Sequence, residues 1–265
     1  MSVEAENAGW RGVFLWDALS VGMDDPRLLP TCDAWIALGL IAAATTSVTI
    51  GTMITPLSRR RPWIVAKAAA TLDHLSDGRL VLPVGLGAVD DGAFSRVNEE
   101  TDRVLRAQRL DEGLQILEGL WRGAGFTFEG EHYRVDDLSL LPGSAQSPRV
   151  PVWVVALWPR RKSMVRALRW DGVIPSVEHA DGTRTDPGPQ DVSEIRSYLA
   201  DNGRPELEII VEIDTSDRAT GDAAALAGDY ADAGATWWLE PVWELMYKHP
   251  GEVEPLRRRI VQGPF

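Results

Sequence analysis

The stretch VTIGTMITPLSRRRPWIVAKAAATLDHLSDGRLVLPVGLG, residues 48–87, decides the fold. A β-branched apolar run, Val48–Ile54, reads as a buried strand. Pro62 then stands at the first-turn position of a helical segment that runs to Leu75 and stops at Ser76-Asp77-Gly78. A second apolar run, Leu80–Val84, follows at once. Strand, helix and strand in that order, with near-continuous apolar strands, imply a parallel sheet covered by helices.

The same alternation extends in both directions. Val13–Trp16 lies upstream; Val152–Ala156, Gly172–Pro175, Leu207–Ile213 and Thr236–Leu239 lie downstream, all reading as buried strands. Arg103 to Trp121 sets Leu110, Leu114, Leu117 and Trp121 on one helical face, and Ala223 to Ala233 forms a helix that stops at Gly234. Ser163 to Trp170 is a further helical segment. Seven strands result, one short of a closed (β/α)₈ barrel. No internal repeat or long linker divides the chain, so residues 1–265 are expected to form a single barrel domain. Two excursions leave the pattern. Residues 126–142 alternate apolar and polar around Glu129-Gly130, as a hairpin insertion does. His179 to Asp191, rich in Asp, Gly, Pro and Thr, reads as a surface loop.

Bulk properties narrow the function classes. At 265 residues, with 45% apolar and 25% charged side chains, the composition is that of a globular protein. A net charge of −12 and a pI near 4.8 argue against non-specific nucleic-acid binding. The N-terminus lacks the apolar core of a signal peptide, and the most apolar segment, Trp35 to Ala44, is too short to span a bilayer. One cysteine, Cys32, excludes an internal disulfide and fits a reducing, cytoplasmic setting. Eleven tryptophans are the oddity; large flat side chains suit a core and also a wide apolar ligand.

Several short motifs could carry chemistry. Val13 to Trp16 ends at Asp17 and passes into a turn with Gly22 and Asp24-Asp25-Pro26, a strand end of the kind that holds active sites. Asp17 is the nearest titratable group; Ala18 beside it can move no proton. Val84-Gly85-Leu86-Gly87 would need glycine at position 90 for a dinucleotide fingerprint, and Asp90 stands there. Its glycines serve either a simple turn or a flat cofactor lying against backbone. Trp158-Pro159-Arg160-Arg161-Lys162 precedes a helix and reads either as a basic turn or as an anion site. Arg59-Arg60-Arg61 opposes the dipole of the helix it opens, which points to an anionic ligand or acidic neighbours. The four histidines lack metal-ligand spacing, so no metal is expected. The adjacent carboxylate pairs Asp24-Asp25, Asp90-Asp91, Glu99-Glu100 and Asp136-Asp137 read as surface charge.

Taken together, the motifs resemble the luciferase-like family of flavin-dependent oxidoreductases. The resemblance rests first on residues 50–56 with Arg59-Arg60-Arg61-Pro62, on 68–73, on Ser76-Asp77-Gly78-Arg79-Leu80, and on residues 84–87. Further blocks are Arg109-Leu110-Asp111-Glu112-Gly113-Leu114, Phe128-Glu129-Gly130-Glu131-His132-Tyr133, residues 148–154 and Arg169-Trp170-Asp171-Gly172-Val173. It implies a (β/α)₈ TIM barrel that lacks its first strand here and binds reduced FMN, or alternatively the deazaflavin coenzyme, at the strand C-termini. It places a non-prolyl cis peptide at Thr52–Met53, and cofactor contacts at Thr52, Met53, Gly85, Gly87, Trp158, Arg160, Arg161 and Lys162. Trp16, Ala18 and Trp238 would line a substrate pocket.

Three departures qualify the reading. Only Ser2 to Ala8 precede Gly9, too few for the family's first strand and helix. Either the start is misassigned or truncated, or the barrel is open there and is then unstable or paired with another chain, a homodimer being expected. Ala18 stands where many members carry histidine. Ala88 stands where deazaflavin sugar dehydrogenases carry glutamate. The expectation is therefore a monooxygenase using reduced FMN and dioxygen on a small organic substrate. Deazaflavin-dependent hydride transfer is the first alternative, and an inactive flavin-binding or oligomer-partner protein the second.

Overall fold

The computed structural model describes residues 1–19, 31–89 and 93–264; Gly22, Asp24-Asp25-Pro26 and Asp90-Asp91 lie outside the described residues. The chain forms two compact units, Met1–Pro151 and Val152–Phe265.

The first unit begins with α1 (Ser2–Asn7), β1 (Gly12–Leu15), α2 (Ala34–Ala44) and β2 (Thr49–Thr52). β1 and β2 are parallel, with Phe14 opposite Gly51 and Leu15 opposite Thr52. The next two strands are β3 (Thr55–Pro56) and β4 (Leu82–Gly85), joined through a short 3-10 turn, Leu57–Arg59, and α3 (Pro62–Leu75). β3 pairs in parallel with β4, Thr55 opposite Val84. The run expected as one strand, Val48–Ile54, is thus interrupted. Its first part pairs with β1, and the chain then changes partner. The cis peptide falls at Met53–Ile54, one bond later than expected. The Met53 amide still donates to Leu15 O at 2.7 Å, so the extended ladder runs through the Thr52–Met53 link.

α3 places Val65, Ala66, Ala69, Ala70 and Leu72 in the core, small residues that let it lie close to its neighbours. α4 (Arg103–Trp121) is capped by Asp102, whose carboxylate accepts from Val104 N at 2.8 Å and Leu105 N at 2.9 Å. Its expected apolar face is buried: Leu110, Leu114 and Leu117 are at most 1% exposed. The insertion forms the antiparallel hairpin β5 (Phe126–Glu129) and β6 (Arg134–Leu138), Glu129 opposite Arg134. The Glu112 carboxylate of α4 holds its turn, accepting from the amides of Glu131 (2.8 Å), His132 and Tyr133 (both 3.0 Å).

The second unit contains β7 (Val152–Trp158), α5 (Arg161–Ala167), β8 (Gly172–Glu178), β9 (Arg184–Thr185), α6 (Pro189–Asp201), β10 (Glu208–Glu212), α7 (Thr220–Asp232), β11 (Trp237–Leu239), α8 (Trp243–Lys248) and α9 (Glu254–Gln262). β7, β8, β10 and β11 lie side by side in that order, all parallel. Each helix returns the chain to start the next strand beside the last. The segment expected as a surface loop, His179 to Asp191, is exposed over residues 179–186 but carries β9 antiparallel to β8, and α6 begins at Pro189. Proline at the first turn, with Asp191 Oδ2 accepting from Gly188 N at 2.8 Å, starts that helix in spite of the polar composition.

Candidate active site

In the first unit the side chains with chemical character gather beyond the C-terminal ends of β1, β2 and β4. Asp17 follows β1 and is only 5% exposed. Arg60 grips its carboxylate with two nitrogens, the Nε–Oδ2 contact being 2.8 Å, and Trp35 Nε1 donates to Oδ2 at 3.3 Å. Arg59 Nη2 donates to the Asp17 carbonyl at 2.9 Å. A carboxylate held bidentately is oriented and kept as an acceptor. An acidic neighbour therefore accounts for Arg60, and a strand-end carbonyl for Arg59, at the unfavourable end of α3. Trp16 and Ala18 flank Asp17 and are partly exposed.

Thr52, 1% exposed, shares a hydroxyl hydrogen bond of 2.8 Å with Thr55. Met53, beside the cis peptide, is half-buried. Gly85 is buried at the end of β4. Gly87 has φ +78°, and a Cβ there would meet Pro56 Cβ at 2.7 Å and Phe94 Cζ at 2.8 Å. Its missing side chain makes room for Phe94, an occupant not foreseen from spacing. The turn's carbonyls are bound from two other elements. Ser58 Oγ donates to Leu86 O at 2.9 Å; Arg106 Nη1 donates to Leu86 O at 3.1 Å and to Gly87 O at 3.0 Å. The guanidinium carbons of Arg106 and Arg59 lie 5.0 and 5.8 Å from the Phe94 ring centroid.

Ser58, Phe94 and Arg106 were absent from the sequence reading. Arg106 did leave a signal: it lies four residues before Leu110, on the apolar side of α4, where a cation demands an explanation.

In the second unit Trp158, at the end of β7, packs edge-on against Tyr198 of α6, ring centroids 5.5 Å apart. Arg160 pairs with Glu178 at the end of β8, which Arg184 also approaches at 3.7 Å. Arg161 and Lys162, in the first turn of α5, are exposed. Ser163 Oγ accepts from Leu157 N at 2.8 Å and closes this turn. Trp238 Nε1 donates to Ile213 O at 2.9 Å. Burial, and then the charge of Asp186, push the carboxyl of Glu212 above the usual carboxylate range. Farther along, Glu240 accepts from Thr215 N at 2.6 Å and pairs with Arg259 at 2.9 Å, both side chains under a tenth exposed.

Both units run strand and helix in parallel order and collect polar side chains past the strand C-termini, the layout of an α/β enzyme. A family model described as luciferase-like monooxygenase matches residues 1–245. The chain belongs to that family, and with it to the oxidoreductases.

Among its relatives is an F420-dependent glucose-6-phosphate dehydrogenase of Nakamurella multipartita, 32% identical over 86% of this chain and 68% of that protein. An F420-dependent hydroxymycolic acid dehydrogenase of Mycobacterium tuberculosis is 33% identical over 60% of this chain and 43% of its own length. The coenzyme F420-dependent tetrahydromethanopterin reductase of Methanopyrus kandleri shares the fold at TM-score 0.70 and 16% identity, covering 98% of this chain and 92% of that one. Among the described residues no helix is long and apolar enough to cross a membrane.

Proposed function

We propose that this chain is a deazaflavin-coenzyme-dependent oxidoreductase acting on a small organic substrate. The observation that carries the reading is the 32% identity to an F420-dependent dehydrogenase across 86% of the chain. It moves the deazaflavin coenzyme ahead of FMN, which the sequence alone had ranked first. When bound, the coenzyme supplies hydride transfer; the protein supplies position, exclusion of water and electrostatics.

The residues proposed for the cofactor are Thr52, Met53, Gly85 and Gly87 in the first unit, and Trp158, Arg160, Arg161 and Lys162 in the second. The donor chemistry fits. Arg161 and Lys162 are exposed cations at a turn with a proline entrance, suited to a phosphate, and Arg160 is oriented by Glu178. Met53, half-buried beyond the end of β2, offers an apolar edge, and Gly85 closes β4 without a side chain. Trp16, Ala18 and Trp238 are kept as substrate-side residues. Asp17, held by Arg60, serves better as an anchor of that strand end than as a base.

Ala18 replaces a histidine that the resemblance expects of many members and Ala88 the glutamate it expects of deazaflavin sugar dehydrogenases, so the proposed substrate is not a sugar phosphate. The same two positions favour one second reading, a monooxygenase using reduced FMN. A (β/α)₈ barrel lacking its first strand, a homodimer and a cytoplasmic location belong to this proposal; the free thiol of Cys32 suits a reducing compartment.

Anaerobic absorbance titration with the deazaflavin coenzyme and with FMN tests the assignment. Saturable binding of the deazaflavin coenzyme, with no oxygen uptake by the reduced complex, is expected. FMN binding with substrate-dependent oxygen uptake would establish the second reading, and binding of neither would leave the inactive alternative.

A further inference from the structure

Arg106 reaches the candidate site from α4. It is 6% exposed, and a cation is brought that far from water only where several acceptors receive it. Two of those acceptors are consecutive carbonyls of one turn, Leu86 O and Gly87 O, at 3.1 and 3.0 Å from the same Nη1. Ser58 Oγ, from the turn after β3, adds a second donor to Leu86 O at 2.9 Å. Phe94 fills the space beside Gly87 and is 1% exposed, with the Arg106 guanidinium carbon 5.0 Å from its ring centroid. The backbone of residues 86–87 is therefore fixed at its carbonyls from two elements and at its Cα by an aromatic ring.

We propose that Arg106 is a positioning residue, with Ser58 as its partner, that sets the backbone of the Gly85-Leu86-Gly87 turn for cofactor binding. The inference rests on the reading above that this turn lies against the cofactor. Arg106 and Ser58 both donate to the Leu86 carbonyl, and Arg106 also to that of Gly87, so the acceptors of the turn are engaged within the protein. A site whose backbone is held before the ligand arrives binds more tightly, because no ordering is left to be done on binding. Lysine cannot substitute fully: its compact ammonium lacks the planar guanidinium that lies against the Phe94 ring while one of its nitrogens donates to both carbonyls.

The test compares Arg106→Lys, Arg106→Met and Ser58→Ala with the parent chain, by coenzyme titration and by amide hydrogen exchange of residues 85–89 without cofactor. Ser58→Ala removes one donor from a carbonyl that keeps another, so it should fold even if Arg106→Met does not. Ser58→Ala and Arg106→Lys should each weaken deazaflavin-coenzyme binding roughly tenfold, the worth of one charged or buried hydrogen bond. They should also accelerate exchange within the turn and shift the absorbance band of the bound coenzyme, with the hairpin amides unchanged. Parent-like affinity and parent-like exchange in both variants would overturn the proposal. Should the parent chain bind neither coenzyme, the function proposed above fails alone. Exchange then still decides: faster exchange in the turn supports the positioning role, and unchanged protection overturns it.

Discussion

Glu6 shows how one side chain can fasten a terminal helix. Its carboxylate accepts from Thr46 N (2.8 Å), Ser47 N (2.6 Å) and Ser47 Oγ (2.8 Å), all at the entrance to β2. The Ser47 hydroxyl and amide, then the Thr46 amide, hold its pKa down to about 2 from an ordinary 4.5. A depressed carboxylate pKa favours the folded state above the unfolded value, and that contribution disappears as pH falls from about 4.5 to about 2. Hydrogen exchange at Thr46, Ser47 and Val48 should therefore lose protection selectively over that acid window. Glu6→Gln should show the acid pattern already at pH 7, exchanging severalfold faster at these three amides. Equal protection in the variant and the parent at pH 7 would rule the clamp out. Arg79 does similar work deeper in the unit, donating to Ala42 O and Thr45 O at 2.9 Å, Val48 O at 3.0 Å and Ser76 O at 2.7 Å. It ties the end of α2, the entrance of β2 and the end of α3 to one guanidinium, a task suited to its planar fork.

At the scale of elements, the turn after β4 makes the sharpest demand on sequence. Gly87 is left-handed at φ +78°, and a Cβ would come within 2.8 Å of both Pro56 and the Phe94 ring. Alanine there meets a backbone penalty and a steric one together, about 2 kcal/mol or more. Gly87→Ala should lower the urea midpoint accordingly. Gly9→Ala, also at positive φ but with nothing within 4 Å, should cost only the backbone part. Equal losses at the two positions would show that the Phe94 contact does not matter. This turn also marks where sequence stops being informative. Strands and helices were legible because burial imposes a period: the Leu110, Leu114 and Leu117 face of α4 was read directly. The partner change between β2 and β3 was not, because a seven-residue β-branched run looks the same whether it pairs with one strand or with two in succession. α2 escaped as a helix because it is apolar all round and so has no period to detect. In the site, Asp17 and the arginines were visible as charged residues at element ends, and an arginine partner for Asp17 was among the readings, but which arginine takes it was not legible. Phe94 and Ser58 carried no signal, since an aromatic in a loop and a serine in a turn are common.

For the molecule as a whole, α2 raises the question of assembly. Its eleven residues carry no charge, yet only Ala34, Leu38 and Ala42 are buried within the chain, while Ile36 and Leu40 are 73% and 71% exposed. Ile36 and Leu40 are one turn apart and so form a single ridge. Contiguous apolar surface of this kind marks an interaction site more often than it marks a free face. A chain with net charge −12 repels its own copies wherever acidic surfaces meet, so an uncharged helix is the place where two copies can approach. The proposed homodimer should therefore form through α2. Ile36→Lys combined with Leu40→Lys should convert it to monomer in sedimentation velocity at micromolar concentration. The folded monomer should keep its circular dichroism, because both side chains already face water. A double variant that sediments as the parent does would place any self-association elsewhere. A parent chain that is monomeric under the same conditions would remove the homodimer from the proposal and leave α2 as a face for a different partner.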